Sequence, residues 1–246
     1  MEIDIESLER ATLDAVAPPV VESLAGWLIP IDSTTIGRAI SAVPLRHDGT
    51  DTTLIGEIES LYKQRGHKAQ FRIADAVGLT SLHTLLREHG YVPLQPTLTM
   101  VGRVSDWPQP WQAANVQLSL LPPEEWKRVY LSDSFDPLDG ANRVRALSRS
   151  SSLVYAHLSD ESGPAAAGAA SFSQGWVGLH GLRTVADARR KGYAQALIAA
   201  LGTVAVSKGI NRSFLQVEEE NLPAVDLYRR LGFQTAWRYH YWRRES

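Results

Sequence analysis

Residues 182–201 read LRTVADARRKGYAQALIAAL, and this stretch decides how the chain folds. Three consecutive cations, Arg189, Arg190 and Lys191, run into Gly192, and the glycine opens a pattern rich in alanine and leucine. Ala194, Leu197, Ile198, Leu201 and Ala205 fall at i, i+3, i+4, i+7 and i+11, which predicts one apolar helix face over 192–208, closed by Gly209. The residues before it, WVGLHGLRTV (176–185), read as a strand. A helix that starts at a glycine after a strand leaves its first N–H groups unpaired and presents the positive end of its dipole. Glycine also lets a ligand approach the backbone closely. Strand, cationic loop and helix mouth together form a seat for an anion, and a diphosphate suits it. The loop has no GKS or GKT and no G-x-G-x-x-G, so neither a Walker loop nor a dinucleotide fingerprint is present.

Outward from this loop the pattern continues. SLVYAHLSD (152–160) and PAAAGAASFSQG (164–175) predict two more strands joined by tight turns, preceded by helices over 122–133 and 139–150. SFLQVE (213–218) is the next strand, 222–231 the last helix, and the rest closes with a strand. The order predicts an α/β chain with a mixed, mostly antiparallel α+β sheet flanked by helices.

The first half carries a faint copy of the second. Gly66 and Gly209 are 143 residues apart, Gly49 and Gly192 also 143, and Gly90 and Gly232 are 142 apart. Each pair marks the same place in a helix, glycine stop, strand, short helix, Gly-aromatic, strand sequence, which implies a repeated unit. SDWPQPWQAAN (105–115) reads as a connection between the copies, giving an N-terminal domain over 1–104, a linker over 105–114 and a C-terminal domain over 115–246. GWLIPIDSTTIGRAISAVPL (26–45) predicts two strands with a turn at DSTT, and its Trp27 and Arg38 are candidates to line a cleft.

Composition narrows the possibilities. Net charge is −2 in 246 residues, too balanced for a nucleic-acid grip, and no apolar run has the length of a membrane span. The start, MEIDIESLER, lacks the basic end and apolar middle of a signal peptide, so a cytoplasmic location is expected. No cysteine is present, which excludes disulfides, thiolate metal sites and a cysteinyl intermediate. The seven histidines show no HxxxH or HExxH spacing, so no metal is expected.

Arg189-x-x-Gly192-x-Ala194 after a strand, followed by LQVEEENLPAVDLYRRLGF (215–233), resembles the GNAT superfamily of N-acetyltransferases. The likeness covers roughly 115–246, with Asn221, Ala224, Leu227, Tyr228, Gly232 and Phe233 at the expected relative spacing. It implies two tandem GNAT-like domains with a catalytic C-terminal one. It also implies that acetyl-CoA seats its diphosphate on Arg189, Arg190, Lys191, Gly192, Tyr193 and Ala194. Its pantetheine arm would run beside Leu182 and Thr184, with Asn221 in contact, and Tyr228 would protonate the departing thiolate. Direct attack by a primary amine, on a small molecule, is the economical scheme. An alkyl amine is only about one part in a thousand neutral at pH 7, so a base or water relay is needed. Glu218, Glu219, Glu220 and His180 are the candidates; the strand glutamate frequent in the superfamily is missing from WVGLHG.

The first half keeps the Arg-x-x-Gly spacing at Arg46 and Gly49 but puts Asp51 where the second has Ala194, with Asp48 nearby. Carboxylates there suit capping and repel phosphate. Leu86 stands where Tyr228 would be. This half therefore reads as a degenerate copy that shapes an acceptor pocket at the junction. Other readings stay open: an acyl-CoA-binding module without catalysis, and a tandem transferase of a larger acyl or aminoacyl group. The acceptor and the oligomeric state, a homo-oligomer included, are not encoded in any motif.

Overall fold

The computed structural model describes residues 3–110 and 115–244. The first half runs α1 (Ile5–Val16), β1 (Val20–Leu24), β2 (Trp27–Ile31), α2 (Gly37–Ile40), β3 (Val43–Pro44), α3 (Ile55–Gln64), β4 (Phe71–Ala74), α4 (Thr80–Glu88) and β5 (Tyr91–Arg103). The second runs β6 (Gln117–Ser119), α5 (Glu124–Tyr130), α6 (Pro137–Leu147), β7 (Leu153–Asp160), β8 (Gly163–Ser173), β9 (Trp176–Thr184), α7 (Tyr193–Ser207), β10 (Arg212–Glu218), α8 (Leu222–Arg230) and β11 (Gln234–Arg244).

The repeat is real in space. α3, β4, α4 and β5 match α7, β10, α8 and β11 in order and in spacing. The halves do not close separate sheets, however. One eight-stranded sheet runs in the order β4-β11-β5-β10-β9-β8-β7-β6, and β1-β2-β3 form a second, small sheet. The last strand of each half is inserted into the other half. β5 pairs with β10 from Arg212↔Arg103 to Glu218↔Thr97, while β11 lies between β4 and β5. The break near residue 105 thus separates sequence copies that share one sheet.

The proposed linker at 105–114 also needs correction where it is described. The Ser105 N–H donates to Asn211 Oδ1 at 2.9 Å, and Trp107 is buried against Phe233 and beneath Gly202 of α7. An indole that buries its surface in the core holds this segment down. Residues 111–114 of that stretch lie outside the described residues. The second strand expected within 26–45 is also mostly absent. α2 occupies Gly37–Ile40, leaving a two-residue β3 that pairs back on β2. Gly37 packs directly on the Tyr241 ring, where any side chain would collide.

The strand alternation of β7–β10 sorts side chains to two faces. Leu179, Leu215 and Val217 face α7 in the main core, which also takes Leu98, Met100, Val104 and Trp107 from the first half. Trp176 and Phe214 face the other way, onto Leu8 and Ala11 of α1. Tyr155, Ala167 and Ala169 meet Trp126 and Tyr130 of α5. A buried ion pair, Arg72 of β4 with Glu9 of α1, each 1% exposed, ties α1 down.

Candidate active site

β9 and β10 run parallel but pair only at Ser213↔Val177, Phe214↔Gly178 and Leu215↔Leu179. Beyond these positions each keeps its outer neighbour, β9 with β8 as far as Thr184↔Ala166 and β10 with β5 as far as Glu218↔Thr97. The two strands therefore diverge, and a wedge opens between them. The Val185 N–H donates to the Ala165 carbonyl, toward β8. By strand alternation the main-chain groups of Thr184 turn to the opposite edge, into the wedge. Leu182 and Thr184 are half-buried there, an unpaired strand edge ready to accept an extended chain.

A bulge shapes this edge. The β8–β9 register slips between Ala167 and Ala169, and Gly181 adopts φ +57°. The Gly181 carbonyl accepts the hydrogen bond of Tyr130, and a Cβ on Gly181 would meet that hydroxyl at 2.5 Å. This feature escaped sequence reasoning, although a glycine inside a strand pattern is the usual signal of a bulge.

At the end of β9 the chain turns through one short 3-10 turn, Ala186–Ala188, into the cationic loop. Arg190 takes a left-handed φ of +62° and Gly192 one of +81°. No side chain caps α7; the Gly192 carbonyl accepts from Ala196 N–H, and the preceding N–H groups have no acceptor among the described residues. Arg189, Arg190 and Lys191 are exposed. Their charges are not equally free. Lys191 Nζ lies 3.1 Å from Asp160 Oδ2, and the Tyr193 hydroxyl donates to the same oxygen at 3.3 Å. A hydrogen bond from Ser162 N–H, with Lys191 next, holds Asp160 below the usual carboxylate range. Arg189 Nε is 3.5 Å from the Thr184 carbonyl. Ala194 is half-buried on the first turn. The first half lacks this opening: Asp51 caps its own helix mouth through Thr53 N–H at 2.9 Å, and Arg46 is engaged by Asp48.

Asn221 follows β10 and caps α8, its Oδ1 accepting from Ala224 N–H at 3.3 Å, which leaves the side-chain NH₂ to donate elsewhere. Tyr228, on α8, is half-buried on the α7 side of the sheet and meets Phe233 edge-on at 6.0 Å. Burial pushes its phenol up to about 12, so it holds its proton at neutral pH.

The candidate bases fare differently. Glu218 accepts from Gln95 Nε2 at 2.8 Å and Glu219 from Arg238 at 3.3 Å, and Glu220 is exposed on the turn after β10. None of the three is held in the wedge. His180 is the first β9 residue past the last pair with β10. It is 2% exposed, and its Nε2 lies 2.8 Å from Ser171 Oγ. Burial, with Arg38 adding to it, drives its pKa well down and keeps the ring neutral. Trp27 does not line a cleft: it is fully buried against Phe71 in the core of the first half. Arg38 does reach the junction, where its Nη1 donates to Gln216 Oε1 of β10 at 2.7 Å.

An unpaired edge leading to bare N–H groups and cations fits a long polar chain with an anionic end. A family described as "Probable histone acetyltransferase Rv0428c C-terminal" matches residues 3–242. A Bacillus subtilis (strain 168) protein described as "Uncharacterized N-acetyltransferase YobR" is 37% identical over 88 residues, 36% of each chain, so the likeness spans about a third of that relative. Among solved structures, a GCN5-related N-acetyltransferase from Kribbella flavida superposes with a TM-score of 0.72 at 14% identity, over 100% of this chain and 97% of the other. A tandem GNAT protein from the clavulanic acid biosynthesis pathway gives 0.61 at 13% identity, over 96% and 94%.

Proposed function

The chain belongs to the GNAT acetyltransferases, and on that premise we propose that it moves an acetyl group from acetyl-CoA to a primary amine on a small molecule. The unpaired edge of β9, leading into the bare mouth of α7, carries this reading. The N–H groups from Gly192 to Ala194 hold the diphosphate, with Arg189 and Arg190 adding charge and Lys191 contributing in competition with Asp160. Main-chain groups at Leu182 and Thr184 align the pantetheine arm as an added strand, and the Asn221 amide donates to it.

Acetyl-CoA supplies the acetyl group on a thioester, a carbonyl open to attack by a neutral amine. The wedge N–H groups polarise that carbonyl. Tyr228, protonated at neutral pH, gives its proton to the sulfur as the carbon–sulfur bond breaks. The proton lost by the amine passes to water or to neutral His180.

Calorimetric titration with acetyl-CoA tests the anchor. Replacing Arg189, Arg190 and Lys191 with glutamate is expected to weaken binding by about tenfold or more, since a charge-assisted contact is worth about 1.5–3 kcal/mol. Unchanged affinity would remove the basis of the assignment. The family description favours a second acceptor class, a lysine side chain of a basic protein. Thiol release with small amines beside a lysine-rich peptide separates the two.

A further inference from the structure

The wedge has two sides, and the second is built by the half of the chain that lacks the anchor. Gln216 is the first β10 residue past Leu215↔Leu179, the last pair with β9. Its amide joins two first-half elements: Nε2 donates to Thr12 Oγ1 of α1 at 3.2 Å, and Oε1 accepts from Arg38 Nη1 of α2 at 2.7 Å. Arg38 therefore sits at the root of the wedge on the α1 face. α7 and Tyr228 pack on the opposite face. Such an arrangement lets donor and acceptor enter from opposite sides.

Arg38 is unusual in its partners. Among the described residues it makes no ion pair; its hydrogen-bond partner is a neutral amide. Burial pulls its pKa down, and Arg143 and Arg72 act in the same direction. Arg72 is neutralised by Glu9. Arg143 shares one carboxylate, Asp139, with Arg183, and Arg183 Nη1 is buried without a partner. Glu9 and Asp139 are thus already committed to the other arginines, and neither pairs with Arg38. The neighbouring Tyr239 phenol does not offset the excess: burial drives its pKa well up, so it keeps its proton, and its hydroxyl lies 3.3 Å from that of Tyr241. Arg38 is half-buried, and a guanidinium drawn this far out of water for structural reasons alone is normally given a carboxylate. This one is fixed in place by Gln216 and left with its charge uncompensated.

We propose, resting on the transferase reading above, that the α1 face of the wedge takes an anionic group of the acceptor. The substrate class is an amine that also bears a carboxylate or a phosphate, with Arg38 as the main contact and Arg143 the second. A surplus of positive charge at the wedge repels a basic peptide and attracts an acidic small molecule. Arg38 orients the acceptor so that its amino end faces the thioester. The degenerate half thereby supplies specificity to the half that holds the donor.

The test is calorimetric titration of the coenzyme A-saturated protein. The probes are 3-aminopropanoate, 4-aminobutanoate and phosphoethanolamine, set against the amides of the first two and an uncharged alkylamine. Binding by the carboxylates or by phosphoethanolamine, at least about tenfold tighter than by the uncharged analogues, is the expected result, and the two acid types tell the sources apart. Arg38→Gln is expected to abolish that preference and Arg38→Lys to restore part of it, with coenzyme A affinity unchanged in both. A purely structural arginine would shift the melting temperature and leave the acid-to-amide ratio alone. Equal binding of acids and amides, no binding by either, or an acid preference surviving in Arg38→Gln overturns the proposal. Loss of coenzyme A binding in the wild type would instead overturn the transferase reading, so the two failures are distinguishable.

Discussion

Severing the chain between Pro110 and Asn115 is expected to leave two pieces that do not fold alone. The shared sheet sets the size of the effect. The piece starting at Asn115 loses Leu98, Met100, Val104 and Trp107 from its main core, all at most 6% exposed in the whole chain. At about 1.5–3 kcal/mol for each buried apolar side chain, this removes about 6–12 kcal/mol. That rivals the entire net stability of a typical domain, about 5–15 kcal/mol. The same piece also leaves β10 without its β5 ladder and β11 without any strand to pair with. Residues 1–110 fare no better, because β4 and β5 lose β11 between them and the core of that half loses Trp242. The assay is thermal unfolding followed by circular dichroism, on each piece alone and on an equimolar mixture, with acetyl-CoA calorimetry alongside. Each piece alone should melt without a cooperative transition, and the mixture should recover both the transition and ligand binding. A cooperative melt and intact acetyl-CoA affinity from the second piece alone would falsify the reasoning.

Tyr228→Phe is expected to lower kcat by about a hundredfold or more with acetyl-CoA affinity little changed. With the phenol near 12, no alkaline limb below about pH 10 belongs to this residue; a kcat within about threefold of wild type would leave it a packing role only. Glu9→Gln leaves Arg72 buried without its counter-charge and should cost about 3–5 kcal/mol in urea denaturation; a loss under about 1 kcal/mol would mean that the pair contributes little. His180 has its folded pKa below the unfolded value of 6.5, so the unfolded state binds the extra proton as pH falls. Its contribution is full above pH 6.5 and is lost progressively below it. His47, His83 and His157 are shifted in the same direction, so stability should fall as the pH drops below 6.5. His180→Gln should make that drop shallower, and an identical slope would count against a buried neutral ring.

The frame of the candidate site was legible where local rules act on local residues. A strand, three cations and a left-handed glycine at position 192 are contiguous, and α7 begins one residue from where the apolar spacing put it. Two of the three glycine spacings revealed the repeat because Gly66, Gly209, Gly90 and Gly232 each stop a helix where the backbone turns left-handed. What remained hidden was non-local. Nothing in residues 91–103 announces that they pair with 212–218, since a strand's pattern states which face is buried and not which neighbour it takes. The segment at 105–107 has a linker's composition, yet tertiary burial of Trp107 overrides it. The short helix at Gly37–Ile40 displaced an expected strand because the Tyr241 ring occupies the space against it. Arg38 was visible as a cleft candidate, but its uncompensated charge emerges only when Gln216, 178 residues away, is found beside it.

The exchange of final strands also fixes a timetable for the newborn chain. β5 is finished early, but neither strand that will flank it exists until residues 212–244 have been made. At about 5–20 residues per second, the ribosome takes on the order of ten seconds to bridge that gap. Throughout it, a thirteen-residue strand waits with both edges bare, the kind of surface that recruits strangers. Duplication here gave up the chance for the first copy to finish before the second begins, and the chain becomes safe from its neighbours only when its last strand arrives.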